Sequence, residues 1–247
     1  MTGLLTDRGQ HAPHAARLFG NMITPSVVLA LAVVALGFSA PAPHRDDQHA
    51  PRVAHVLRRV YPVVAFVSMA SELLACVWST IAVNQLIENE APLTTSLWHL
   101  LSETYALPWA AVNTHFVLGM FGFLVLVGIK LYFVCGQGGM AMSVVGVVAS
   151  VLFFMISVVN RSIASSGLRK ADYPDNVTSL ASQYVSLFIE RAVQYESYGV
   201  MEVTSVAVMI VSGLATAGYI LEACNEPIKV ASPYTSPYSS PYSRNKK

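Results

Sequence analysis

The stretch VYPVVAFVSMASELLACVWSTIAVNQL, residues 60–86, decides the fold. It exceeds the roughly 20 apolar residues that a helix needs to cross a hydrocarbon core about 30 Å thick. It carries one formally charged side chain, Glu72, near its midpoint. Its β-branched residues would suit a strand in water, but a lone strand leaves its backbone unsatisfied in lipid, and the alternating pattern of a barrel is absent. The stretch therefore reads as a transmembrane helix. Residues 108–134 (PWAAVNTHFVLGMFGFLVLVGIKLYFV), 139–159 (GMAMSVVGVVASVLFFMISVV) and 199–221 (GVMEVTSVAVMIVSGLATAGYIL) pass the same test. The expected fold is an all-α, polytopic helical membrane protein with four transmembrane helices and one further N-terminal segment. That segment is either a fifth helix or a signal.

Composition points the same way. Of 247 residues, 54% are hydrophobic and 12% charged, against roughly 25% charged in an average soluble domain. Mean hydropathy is +0.51. Lys and Arg number 15 against 14 Asp and Glu, for a net charge of +1, which excludes a basic nucleic-acid binder and a charged disordered chain. The lipid bilayer is the expected partner, and nucleic acid is not one.

Three regions follow: residues 1–59 with an apolar block at 22–40, a helical membrane domain at 60–222, and a tail at 223–247. The 22–40 block is ambiguous because its most apolar part, Val27 to Leu36, has only the length of a signal peptide. Asp7 and the long preceding segment argue against a signal, as does Pro41 after Ala40. Cleavage after Gly37, with Ala35 two residues earlier and FSAPAP following, would instead resemble the junction of a bipartite plastid address. Three cysteines, with Cys76 inside an apolar block and Cys135 and Cys224 at the ends of two others, do not make a disulfide framework.

Loop charge orients the chain. Arg45, Arg52, Arg58 and Arg59 precede the 60–86 segment, whereas Glu88, Glu90 and Glu103 follow it without Lys or Arg, so its start is expected in the cytoplasm. The 160–198 loop then falls outside and the C-terminus inside. Arg161, Arg169, Lys170 and Arg191 oppose that assignment, while Asn176-Val177-Thr178, a glycosylation acceptor sequence, agrees with it. Within this loop QYVSLFIERAVQY suggests a surface-lying helix. The tail repeats Ser-Pro-Tyr at Ser232, Ser236 and Ser240, three candidate phosphorylation sites on an extended segment suited to a cytosolic partner.

Ionisable groups at membrane depth mark candidate sites. Glu72, flanked by Ser68, Ser71 and Ser79, is the first. Asn84, Asn113, His115 and Glu202 have roughly matching depths toward the outer leaflet and could line a polar path with it. Lys130 can snorkel inward beside Tyr132. Gly146-xxx-Ser150 and Gly213-xxx-Ala217 are small-residue pairs, and Gly119, Gly122 and Gly128 thin the 108–134 helix.

No catalytic residue, metal site or cofactor is expected. Only His115 among seven histidines lies securely within a spanning segment, too few for a bis-histidine haem or a multi-histidine metal site. GxSxG, HExxH and GxxxxGK[ST] are absent, and GQGG at 136–139 lacks the following lysine. The Cys-Cys-Gly signature of tetraspanins and the cysteine pair of claudins are missing too. Four helices, a basic segment before the first and a glycosylatable loop before the last resemble the Orai-type calcium channels in layout. Where those channels require an acidic residue at the outer end of the pore helix, this chain has Asn84, with Glu88 beyond it.

Two functional classes remain. One is a small oligomeric ion channel or transporter using an intramembrane carboxylate. The alternative is a non-catalytic structural or accessory subunit of a membrane complex whose tail recruits a cytosolic partner. An endomembrane or plasma membrane location is favoured over a plastid one.

Overall fold

The computed structural model describes residues 11–39, 52–88, 96–135, 139–165, 176–194 and 200–225, and every regular element among them is helical. In chain order these are α1 (His11–Gly37), α2 (Arg52–Glu88), α3 (Leu97–His99) continuing into a π-helical turn (Leu100–Thr104), α4 (Ala106–Cys135), α5 (Gly139–Ser165), α6 (Val177–Gln194) and α7 (Val200–Asn225). Helices α1, α2 and α4 are long and apolar enough to cross a membrane. The Ser-Pro-Tyr tail, with Ser232, Ser236 and Ser240, lies outside the described residues.

Residues 22–37 of the ambiguous block are thus the second part of a longer helix. α1 packs along α2, α2 along α4, and α1 also meets α4, giving a three-helix layer; α5 and α6 lie against α4, and α7 touches α2. The 139–159 segment and the described part of 199–221 do form helices, α5 and α7. Their apolar stretches are shorter, Val145–Val158 and Ile210–Tyr219, so among the described residues three helices have sufficient length: α2 and α4 of the four expected segments, and α1. A helix does form in the segment expected to lie at the surface, as α6.

The three core helices use one face each. Ala15, Phe19, Ser26, Ala30, Val33 and Gly37 are the buried positions of α1, a helical stripe at spacings of three, four and seven. On α2 the buried stripe is Ser68, Glu72, Ala75, Ser79, Ala82 and Leu86. Proline is accommodated rather than avoided. Pro25 and Pro62 lie inside α1 and α2, where bundle neighbours offset the lost backbone bond. Pro108 sits in the first turn of α4, where an N–H would have no intrahelical partner.

At 37 residues, α2 is about 55 Å long at 1.5 Å per residue, well beyond a 30 Å core. It reaches back at least to Arg52, beyond the apolar segment, because helical hydrogen bonding continues into water. Two ends of the bundle result. At one, the Tyr61 hydroxyl donates to the Leu36 carbonyl at 2.5 Å, Lys130 Nζ donates to Ser39 Oγ at 2.5 Å, and the guanidiniums of Arg58 and Arg59 lie over the rings of Phe133 and Tyr219. At the other, Ala15 and Phe19 pack with Ala82, Leu86, Leu100, Leu101, Tyr105 and Val112. The α3 segment closing this end was not expected. Ser96 caps it by accepting from His99 N at 3.1 Å, and its leucines enter the apolar cluster, which stabilises a helix too short to persist alone.

Candidate functional site

The α2 stripe brings Ser68, Glu72 and Ser79 onto one face, and all three are buried. Helix α4 meets it with the face carrying His115, Gly119 and Gly122, spaced four and three residues apart. The fit is close. A Cβ on Gly119 would stand 2.6 Å from Glu72 Cδ, and one on Gly122 would stand 2.7 Å from Ser68 Cβ and 3.3 Å from its Cα. Only glycine permits this approach, and it lets Ser68 Oγ donate across the interface to the Gly119 carbonyl at 2.6 Å.

Glu72 is 0% exposed. The Ser26 hydroxyl of α1 lies within reach of its carboxyl, yet Ser26 Oγ and both carboxyl oxygens lack a partner of adequate hydrogen-bond geometry. Ser79 Oγ, Thr114 Oγ1 and His115 Nδ1 are likewise buried without a hydrogen bond. Most buried polar atoms are satisfied, because an unsatisfied one costs about 1–3 kcal/mol. A row of them on facing helices is therefore a costly feature. No protein-family model, curated protein or solved structure matches this chain.

The other described sequence candidates have partners of their own or are exposed. His115 Nε2 lies 3.1 Å from the Tyr184 hydroxyl of α6, and the two rings meet edge to face with centroids 5.1 Å apart. Asn113 Nδ2 donates to the Trp109 carbonyl one turn back on its own helix at 2.8 Å. Asn84 is exposed. Glu202 belongs to α7, but its side chain lies outside the described residues. Asn176 caps α6: its Oδ1 accepts from Ser179 N at 2.8 Å, and Ser179 Oγ accepts from Asn176 N at 3.0 Å.

Ser26 and Tyr184 are the members that sequence reading missed. Ser26 could have been found from its place on the α1 stripe. Tyr184 stood in a segment recognised as amphipathic, but nothing in its spacing named His115 as its partner. Among the described residues no group of three or more His, Cys, Asp or Glu could hold a metal ion.

Proposed function

We propose that the chain is a multi-pass integral membrane protein that moves a small ion across the bilayer, with Glu72 as the working group. The observation that carries this reading is the carboxyl's lack of hydrogen bonds inside a fully protein-enclosed site. A carboxyl retained to tie helices together would be bonded to a neighbour. One that is buried without such bonds penalises folding and needs a functional reason.

In this reading α1 is retained in the working protein and α5 and α7 also span, giving five crossings. Packing supports retention of α1. Gly37, the residue before the candidate cleavage point, is buried, and a Cβ there would lie 2.5 Å from Ala65 Cβ. Removing α1 would also strip away Ser26 and one wall of the Glu72 site. The Arg58 and Arg59 end faces the cytoplasm, α6 lies on the opposite surface, and the tail meets a cytosolic partner. An endomembrane or plasma membrane is the favoured home.

The accessory-subunit reading draws support from α7. Its described side chains are exposed almost throughout, including Val208, Ile210, Val211 and Leu214, as expected of a helix facing lipid, a second copy or a larger complex.

Reconstitution of the full chain separates the two. With Glu72→Gln, which keeps shape and hydrogen-bonding capacity but cannot exchange a proton or bind a cation as a carboxylate does, ion flux into vesicles should fall to background while assembly is unchanged. Equal flux through protein with Glu, Gln or Leu at position 72 would end the transport reading.

A further inference from the structure

We infer that the species Glu72 handles is the proton, and that it reaches the carboxyl from the α6 end of the bundle through Tyr184 and His115. This rests on the transport reading and gives it a substrate and a route.

The geometry begins at the surface helix. Tyr184 OH and His115 Nε2 are within hydrogen-bond distance at 3.1 Å, and His115 is half-buried with its second nitrogen, Nδ1, enclosed. A phenol joined to an imidazole is a proton-conducting pair, because each group can accept a proton on one atom while releasing one. Burial pushes the Tyr184 phenol above its ordinary pKa. It therefore remains a donor throughout the physiological range.

Helix register continues the route. Glu72 abuts Gly119 and Ser68 abuts Gly122, so α2 and α4 run antiparallel in a fixed register. His115 precedes Gly119 by four residues, placing it one turn, about 6 Å, nearer the α6 end than the carboxyl. In the inferred route one water closes this interval between His115 Nδ1 and the carboxyl. The buried hydroxyls of Thr114, beside His115 on α4, and Ser79, two turns beyond Glu72 on α2, also lack hydrogen bonds of their own. Hydroxyls, an imidazole and a single carboxyl suit a proton better than a metal cation, which needs several oxygen ligands at once.

The transfer balances as follows. Tyr184 gives its proton to His115 Nε2 and regains one from solvent. The imidazolium releases its Nδ1 proton to the bridging water, which passes one to the Glu72 carboxylate. Tyr184 and the water end unchanged, the ring ends as its other neutral tautomer and resets by turning over, and one proton has moved from solvent to Glu72.

The test uses the full chain in lipid vesicles. Infrared spectroscopy identifies the carboxylic acid C=O band of Glu72 by its loss in Glu72→Gln, and the rate of its shift on transfer to D2O reads proton access. Tyr184→Phe, which keeps the ring contact and removes the hydroxyl, and His115→Phe should each slow that exchange by on the order of 10–100-fold, the scale of a lost acid–base relay. Unchanged protease resistance of α6 in Tyr184→Phe would show that docking survives.

Exchange at the wild-type rate in both variants overturns the route, as does a Glu72 that never shows a protonated band. Flux is read separately with a pH-sensitive dye sealed inside. Wild-type vesicles that pass sodium or potassium but not protons keep the transport reading and overturn the inference. Slowed exchange in the variants, combined with no flux of any ion in the wild type, keeps the proton route and removes the transport reading.

Discussion

The glycines of α4 and those of α5 and α7 sit in comparably apolar helices and serve opposite ends. Gly119 and Gly122 are pressed against Glu72 and Ser68 so closely that a methyl group has no room, whereas Gly146, Gly213 and Gly218 have nothing within 4 Å of where a Cβ would stand. The small-xxx-small pairs of α5 and α7 therefore support no close helix approach among the described residues. The α4 glycines, which match no such pair with each other, determine the central interface. A small residue has structural meaning only where another helix takes the space it leaves.

Substitutions that fill the space sharpen this contrast most. Gly122→Leu should cost about 3 kcal/mol or prevent assembly, because the obstruction includes Ser68 backbone as well as side chain and overpacking of a tight core is costly. Reversible unfolding in mixed micelles, followed by tryptophan fluorescence, reads the loss. A stable Gly122→Leu protein would break the comparison.

Glu72→Leu has a smaller effect of the opposite sign. Since the carboxyl has no hydrogen bond to forfeit, an apolar side chain of similar volume should stabilise the bundle by about 1–2 kcal/mol. The same unfolding assay checks it, and a clear destabilisation would make Glu72 a tie between helices.

The α6 attachment comes next. Asn176→Ala removes the cap and should cost about 1 kcal/mol of local helix stability, while Asn176→Asp retains it; amide hydrogen exchange across residues 177–194 distinguishes them. Alkali acts on the same contact. Burial raises the Tyr184 pKa, so docked α6 holds that proton at a pH where detached α6 has lost it. Docking is complete below the ordinary tyrosine value of about 10 and weakens as pH climbs through the raised one, with hydrogen exchange again the measure.

The smallest expected effect is at the peripheral glycines. Gly213→Ala should lie within about 0.5 kcal/mol of the wild type, on the stabilising side, because alanine is the better helix former and meets no obstruction. A large loss there would mean that a second copy or another subunit fills that space.

Much of this division was legible in the sequence, and the reasons it was not complete are physical. The apolar segments, the helical form of residues 183–194 and the enclosure of Glu72 among its serines follow from length and patterning. The helical stretch from His11 to Asn21 did not, because a helix portion that leaves the apolar core needs no hydrophobic signature. α3 was hidden because its stability comes from Phe19, Leu86 and Tyr105 rather than from its own few residues. Pairing was the least visible. His115 was matched by depth with Glu202, whose side chain lies outside the described residues; depth fixes only one coordinate, and it did not point to Tyr184, which the ring contacts.

The cap at Asn176 has a temporal consequence. The side chain that a glycan-transferring enzyme would modify is the one whose Oδ1 starts α6, and the adjoining Ser179 hydroxyl closes the other half of the turn. Once that turn forms, the amide is held in a compact loop against a helix instead of an extended strand that an enzyme cleft can thread. On a lumenal face, sugar addition and helix initiation would therefore race for the same residue during synthesis. The fraction of chains carrying a glycan would record how long this segment lingers before it coils, a stopwatch written into the order of Asn176, Thr178 and Ser179.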